Sequence, residues 1–270
     1  MIMPEKNKDE NKESLLQRYP YIALFGPVGI GKTTFSEIFA NGTGTTLLQE
    51  HYPENPYLHD FYTKDPADYS FYSQIFFLAN KGVQVAKIHE LTKQNPVILD
   101  PGHETDFVIA TVQYKMGWMT DEQYSVYKNA FDRIYKDSLN PDVYIALKGS
   151  EKGVVERILK RGREMEMVMH ERFPEYFPMV VREFNMLLSK STQPIAKNVI
   201  EVDTDKFNFL GSEAEREEII TEMKNQLSYQ ISSPTQRNSV GSDGVKLVIP
   251  DSFKVIPHFI DRVPGAKLSY

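Results

Sequence analysis

The amino-acid sequence predicts an α/β fold of three layers, in which a five-stranded parallel sheet is flanked by helices. Short apolar segments that stop at a glycine or an aspartate alternate along the chain with much longer segments of helical periodicity. The chain has 270 residues, of which 41% are hydrophobic. That is enough for one catalytic domain of roughly 200–250 residues with additional tails.

The strand candidates are short apolar segments bounded by turn residues. The first ends at Gly26, two others end on Asp100 and Asp203, and a fourth follows an Asn-Pro-Asp turn. In chain order the candidates are 21–25, a weaker segment at 45–49, 97–99, 143–147 and 199–202.

The helix candidates are the longer segments between and after these strands. The first places Phe35, Ile38, Phe39 and Ala40 on one face, and the others are 70–94, 120–136, 151–160, 164–190 and 212–230. Ligands of parallel sheets bind at the carboxyl ends of the strands. Motifs at those ends are therefore the first candidates for a functional site.

Three regions are predicted along the chain. Residues 1–18 are charged and polar and predict a flexible tail, and residues 19–230 form the domain. Residues 231–270 begin with a linker rich in Ser, Gly, Asn and Pro and continue as an apolar arm. The arm is too short for a core of its own, so it would dock on the domain or on a partner, or stay disordered.

Composition excludes several classes of function. A net charge of -6 with both signs interspersed argues against general binding of nucleic acid. The absence of cysteine excludes disulfides and thiolate metal sites. The sequence contains neither a run of about 20 apolar residues nor the apolar core of a signal peptide. We therefore expect a cytoplasmic protein that does not enter membranes.

A glycine-rich segment after the first strand fits the phosphate-binding pattern G-x-x-x-x-G-K-[ST]. Its backbone N–H groups would surround the phosphates of ATP, its lysine would reach the terminal phosphates, and Thr33 would ligate Mg²⁺. A chance glycine-rich turn is the alternative, but the strand before it and the helix after it favour nucleotide binding. The cofactor-binding residues are Gly26, Pro27, Val28, Gly29, Ile30, Gly31, Lys32, Thr33 and Thr34.

A cluster of arginines follows the fourth strand. Arg157 and Arg161 are four residues apart and share a helix face, and Arg163 follows after a glycine. Such a cluster is often a solvated basic face. In a chain with a phosphate-binding loop we favour a lid that neutralises the charge of a transferring phosphoryl group.

Several motifs in order resemble those of the deoxynucleoside kinase family, from about Tyr21 to Gln226. Residues 157–166 fit the family's lid pattern R-x-x-x-R-G-R-x-x-E throughout. Glu50 follows the second strand, and then come N-P-x-L at 55–58, Phe-Tyr at 61–62 and Q-x-x-F-L at 74–78. The resemblance covers neither tail.

The resemblance implies a role for each matching residue. Glu50 would be the general base for the 5′-hydroxyl of a sugar, and Tyr62 and Glu166 would hold its 3′-hydroxyl. Gln74 would make paired hydrogen bonds to the base. The catalytic residues would then be Glu50, Lys32, Arg157, Arg161 and Arg163. The resemblance also implies a possible homodimer and an adenine-side loop at 203–207.

One motif departs from the family, which has D/E-R-S at the end of the third strand. Asp100 is the acidic residue of this motif, which in the family helps to hold Mg²⁺. Pro101 stands where the family has an arginine that supports the general base and the reacting hydroxyl. Three interpretations remain open. A nearby cation such as Lys64, Lys81 or His103 substitutes for the missing arginine. Alternatively, the acceptor hydroxyl is held differently and the substrate differs from that of the family, or the protein has lost activity and only binds nucleotides. His103 and Glu104 are interpreted as an ordinary polar turn in preference to a metal site.

Lys81 and Asp106 correspond to family positions that favour purine or cytosine bases, and we expect both to bind the substrate. The sequence thus predicts ATP-dependent phosphorylation of a (deoxy)nucleoside, a small-molecule acceptor. The alternatives are a nucleotide-binding module of the same fold with impaired catalysis, and a kinase for a nucleoside monophosphate or another small alcohol.

Overall fold

A computed structural model describes residues 19–189, 199–207, 209 and 211–232. Its centre is a five-stranded sheet in the order β2-β3-β1-β4-β5, with every pair of neighbouring strands parallel. The strands are β1 (Tyr21–Phe25), β2 (Thr46–Gln49), β3 (Val97–Asp100), β4 (Val143–Lys148) and β5 (Val199–Asp203). The predicted α/β architecture is confirmed, including the weaker strand candidate at the sheet edge.

Helices flank the sheet. They are α1 (Lys32–Thr43), α2 (Leu58–Thr63), α3 (Pro66–Leu91), α4 (His103–Lys115), α5 (Asp121–Tyr135), α6 (Glu151–Arg161), α7 (Glu164–Arg172), α8 (Tyr176–Ser189) and α9 (Glu213–Ser232). A single turn of 3-10 helix, Tyr52–Glu54, precedes α2.

The central strands β1, β3 and β4 form the middle of the hydrophobic core. All five residues of β1 and all four of β3 are buried. Near-continuous apolar strands of this kind are typical of parallel sheets covered on both faces. Because the strands are parallel, the loops after β1, β2 and β3 emerge at the same edge of the sheet.

Two predicted elements differ in the structure. The segment 164–190, predicted as one helix, is divided into α7 and α8. The break lies at Pro174, which has no amide hydrogen and restricts Phe173 before it. Residues 103–115, where a polar turn was expected at His103 and Glu104, form α4, and both side chains are buried.

The predicted tail at 1–18 and all but the first two residues of the predicted linker and arm at 231–270 lie outside the described residues, so these predictions stay predictions. Helix α9 extends two residues beyond the predicted domain end at 230. None of the helices in the described part of the chain is long and apolar enough to cross a membrane.

Candidate active site

A cleft of about 580 Å³ opens at the carboxyl ends of β1, β2 and β3. Most of the site residues predicted from the sequence line it, although they come from distant parts of the chain. These are Val28, Gly29, Gly31, Lys32, Thr33, Thr34, Glu50, Tyr62, Gln74, Asp100, Asp106, Arg161, Arg163 and Glu166. The predicted residues that are not among its lining are Gly26, Pro27, Ile30, Lys81 and Arg157.

The glycine-rich loop joins β1 to the first residue of α1, as the motif requires. Gly29 has φ +78°, and a Cβ atom there would lie 2.3 Å from Cγ1 of Ile158 on α6. Only glycine therefore suits both the left-handed backbone and the close packing against α6. The loop has the form of an anion-binding cradle at a helix N-terminus.

The side chain of Lys32 is hydrogen-bonded to the backbone of this loop. Its Nζ donates hydrogen bonds to the carbonyl oxygens of Gly26 and Pro27, each at 2.8 Å. Burial lowers the pKa of Lys32 to about 8, although the carboxylates of Asp100 and Glu50 oppose this shift. The partly buried ammonium contacts these carbonyls and no carboxylate of the described residues, which suits it to receive an anionic ligand.

Glu50 and Asp100 lie side by side at the ends of adjacent strands. The backbone N–H of Glu50 donates to the carbonyl of Asp100 at 2.9 Å, and this fixes the spacing of the two residues. Ser36 donates to Oδ2 of Asp100 at 2.8 Å, and burial raises the pKa of Asp100. The Thr33 hydroxyl and the Asp100 carboxylate line the same cleft, and such oxygen donors fit Mg²⁺.

Lys81 on α3 lies beside Glu50 and away from the cleft lining. Its Nζ is 2.9 Å from Oε1 of Glu50 and donates to the carbonyl of Pro101 at 3.0 Å. Lys64, another cation considered from the sequence, is exposed and paired with Asp60 at 2.8 Å. Lys81 therefore contacts Glu50, the predicted general base, whereas the sequence predicted that Lys81 contacts the nucleobase of the substrate.

The opposite end of the cleft is formed by α2, α3 and α4. Gln74 and Asp106 are buried, and Oε1 of Gln74 and Oδ2 of Asp106 have no partner among the described residues. Burial and then the Glu50 carboxylate raise the pKa of Asp106 to about 8. Unpartnered buried polar atoms are rare in proteins, and those that belong to residues lining a cleft suit a polar ligand.

The Asn-Pro-Tyr-Leu motif has a structural part. The Asn55 side chain is buried, and its Nδ2 donates to the carbonyl and to Oγ of Ser73, both at 3.1 Å. Its Oδ1 accepts from the N–H of Tyr57 at 3.0 Å. Asn55 thereby fastens the approach to α2, which carries Tyr62, onto α3 beside Gln74.

The arginine cluster divides between two places. Arg161 donates to Oε2 and Oε1 of Glu166 at 3.2 and 2.5 Å, and Arg163 lies 3.5 Å from the same Oε1. The guanidinium of Arg157 instead donates to Oγ1 of Thr204 at 3.0 Å and to Asp205 at 3.3 Å. Only Arg161 and Arg163 therefore face the cleft, while Arg157 holds the loop after β5.

His103 and Glu104 form a buried pair behind the cleft. Nε2 of His103 is 3.1 Å from Oε1 of Glu104, which also accepts from the hydroxyl of Tyr144. Burial lowers the pKa of His103, which favours its neutral form. Within the described part of the chain, no group of three or more His, Cys, Asp or Glu residues could hold a metal ion.

Comparison with known proteins explains this combination of sites. The model of the deoxynucleoside kinase family matches residues 22–228, which is most of the chain. The chain belongs to the deoxynucleoside kinase family. Members of this family are transferases that phosphorylate deoxynucleosides, so the resemblance seen in the sequence is confirmed.

Individual relatives of the chain are also named as deoxynucleoside kinases. The deoxyguanosine kinase of Lactobacillus acidophilus is 30% identical over 214 residues, covering 76% of this chain and 90% of the relative. The deoxyadenosine/deoxycytidine kinase of Bacillus subtilis is 30% identical over 203 residues, with 73% and 89% covered. The structure of deoxyadenosine kinase from M. mycoides with bound dCTP superposes with a TM-score of 0.63 at 25% identity, covering 76% and 98%. The fold is therefore the P-loop kinase fold.

Sequence reasoning missed several residues of this deoxynucleoside kinase's cleft. Three of them lie on one face of α4 beside the predicted Asp106, namely Thr105, Ile109 and Gln113, and Tyr176 of α8 lines the same cleft. Gln113 accepts from Ser70 at 2.6 Å and donates to Tyr176 at 3.4 Å. The signal was the spacing of these residues over successive helical turns, and it was overlooked because the segment was not predicted to be a helix.

Proposed function

We propose that this chain transfers the γ-phosphoryl group of ATP to the 5′-hydroxyl of a deoxynucleoside, with a purine or cytosine base favoured. The observation that carries the proposal is one cleft with two chemically different ends. Lys32 and Thr33 of the glycine-rich loop line one end, and Gln74 and Asp106 line the other. Glu50 lies close enough to both ends to affect the pKa values of Lys32 and Asp106.

In the proposed reaction, Glu50 takes the proton of the 5′-hydroxyl as that oxygen forms its bond to the γ-phosphorus. The bond from the γ-phosphorus to the oxygen bridging to the β-phosphate breaks, and ADP leaves. Lys32, Arg161 and Arg163 neutralise the charge that spreads over the transferred group. Mg²⁺, when held by Thr33 and Asp100, would neutralise further charge on the phosphates.

The proposed base preference is based on Gln74 and Asp106. An amide side chain offers both a donor and an acceptor, and a carboxyl group with a pKa of about 8 is able to donate as well as accept near neutral pH. Their two free oxygens would be satisfied by the polar edge of a base. Relatives named as deoxyguanosine and deoxyadenosine/deoxycytidine kinases support this preference.

The test is an ADP-release assay with Mg-ATP against deoxynucleosides, ribonucleosides and nucleoside monophosphates. We expect turnover on deoxyguanosine, deoxyadenosine or deoxycytidine, and little on thymidine. ATP binding without turnover on any acceptor would instead support a nucleotide-binding module that has lost catalysis. The possible homodimer stays a prediction, which sedimentation velocity would check.

A further inference from the structure

Lys81 is a buried cation beside the proposed general base, Glu50. Its side chain is fully buried, whereas the Glu50 side chain beside it keeps 20% of its surface exposed. An ammonium group removed from water costs several kcal/mol unless it is paired and hydrogen-bonded. Here Oε1 of Glu50 at 2.9 Å and the carbonyl of Pro101 at 3.0 Å provide both.

The charge state of Lys81 follows from its neighbours. Burial by itself lowers the pKa of Lys81, but the carboxylates of Glu50, Asp106 and Asp100 and the hydrogen bond to Glu50 raise it by more. The net direction is upward, so the group is an ammonium at neutral pH. Lys81 therefore presents a fixed positive charge to the carboxylate that is proposed as the general base.

Other nearby cations are engaged elsewhere. The ammonium of Lys32 binds carbonyls of the glycine-rich loop, and that of Lys64 is 2.8 Å from Asp60 at the surface. His103 is paired with Glu104, and burial lowers its pKa. Of the three cations considered from the sequence as substitutes for the missing arginine, Lys81 alone contacts Glu50 within the described residues.

The backbone at the ends of β2 and β3 makes the contact between Lys81 and Glu50 possible. Pro101 follows Asp100 at the end of β3, and its carbonyl accepts from Nζ of Lys81. The backbone N–H of Glu50 is bonded to Asp100, so β2, β3 and the lysine form one connected unit. Lys81 contacts the Glu50 carboxylate at Oε1, and Oε2 would then face the acceptor hydroxyl.

We propose that Lys81 is a positioning residue that holds the Glu50 carboxylate toward the acceptor hydroxyl and replaces the arginine absent from position 101. This inference depends on the proposed role of Glu50 as general base. It also assigns a function to the carbonyl of Pro101, which anchors the ammonium. The departure from the family motif is then compensated from helix α3.

The test compares Lys81→Met, Lys81→Arg, Glu50→Gln and the Lys81→Met/Glu50→Gln double variant by steady-state kinetics. For Lys81→Met we expect kcat to fall by about 10-fold to 100-fold, because misplacing a catalytic group by about 1 Å costs that much. KM for nucleoside and for ATP should change by less than about threefold, since this lysine is not among the residues that line the cleft. Lys81→Arg should recover most of kcat, and Lys87→Met, an exposed lysine on the same helix, should match wild type.

The double variant separates positioning from simple packing. If Lys81 acts through Glu50, the double variant should be no slower than Glu50→Gln alone. Wild-type kcat in Lys81→Met, no rescue by arginine, or losses that multiply in the double variant would overturn the inference.

Thermal unfolding of the wild type, Lys81→Met, Glu50→Gln and the double variant tests the contact independently of activity. We expect non-additive changes in Tm for positions 81 and 50, and additive changes would contradict the ion pair. If the wild-type chain phosphorylates no acceptor, the proposed function fails, and this unfolding cycle still decides whether Lys81 holds Glu50.

Discussion

Arg161 grips Glu166 through two hydrogen bonds, from Nε to Oε2 and from Nη2 to Oε1. Glu166 is buried, whereas about a third of the Arg161 side chain is exposed. Arg163 shares the same carboxylate and stacks its guanidinium 4.5 Å from the ring centre of Tyr52, which follows β2. The segment that carries the proposed phosphate-binding arginines is thereby joined to the proposed sugar-binding residue.

Arg161 and Arg163 line the cleft, whereas Arg157 does not, so we expect substitutions at these positions to affect different kinetic constants. We expect Arg161→Ala to lower kcat by about 100-fold, with a smaller effect on KM for the nucleoside, because a charge aimed at the transferring group is lost. Arg157→Ala should act mainly on KM for ATP, since Arg157 holds the loop after β5 through Thr204 and Asp205. Steady-state kinetics on both variants measures this.

Arg182 offers a matched control for these variants. It is an exposed arginine that binds Glu151 and Glu175, so Arg182→Ala should leave kinetics unchanged. Unchanged turnover in Arg161→Ala would show that Arg161 has no part in transfer.

Lys32→Ala should abolish phosphoryl transfer, with a loss of at least about 100-fold, while leaving the fold intact. Among the described residues the side chain contacts two carbonyls of its own loop and no carboxylate, so its removal leaves none of their acids unpaired. ADP release measures the activity, and circular dichroism with thermal unfolding measures the fold. Near-wild-type turnover in a folded variant would refute the role of the loop.

Gly29→Ala should weaken both stability and ATP binding. A left-handed residue with a side chain costs about 1–2 kcal/mol, and the new Cβ would also lie 2.3 Å from Ile158. Gly44→Ala is the matched control, since Gly44 has φ +72° and nothing within 4 Å of the added atom. Urea unfolding and ATP titration should show a larger loss of stability at position 29, and loss of ATP affinity there alone. Equal effects would contradict the packing against α6.

Asp106 predicts a dependence of stability on pH. Its folded pKa of about 8 lies above the ordinary value of 3.8, so the folded state holds a proton that the unfolded state has released. The stability from this proton is present below pH 3.8 and is lost as pH rises through about 8.

The Asp106→Asn variant has no group that titrates at this position and therefore lacks this pH-dependent stability. Its unfolding free energy relative to wild type should therefore rise between pH 5.5 and 8.5, as followed by urea unfolding at each pH. Asp60→Asn is the control, because the hydrogen bond from Lys64 lowers the pKa of the partly exposed Asp60 and places its effect at more acid pH. A constant difference for Asp106→Asn over the whole range would show that Asp106 is ionised throughout.

The sheet could be predicted because its strands are local apolar runs with clear ends. The phosphate loop could be predicted because it is contiguous, and Gly26–Thr33 carry the whole motif. Helix α4 could not be predicted, because His103 and Glu104 are polar residues whose burial depends on distant side chains such as Tyr135 and Tyr144.

The position of Lys81 was also beyond the sequence. It is 31 residues from Glu50 and 20 from Pro101, and only the packing of α3 against the ends of β2 and β3 brings the three groups together. The division of the arginine cluster depended likewise on the loop after β5, which reaches Arg157 from 47 residues away.

The two ends of the cleft are built by different means, and this has an evolutionary consequence. The donor end depends on the backbone of the loop between β1 and α1, where a Cβ atom added at Gly29 would lie 2.3 Å from Ile158 and disturb the loop. The acceptor end is made of side chains on α2, α3 and α4, which single codon changes can replace while the helices persist. Descendants of this gene could therefore acquire new acceptors by point mutation and inherit the phosphate chemistry unaltered.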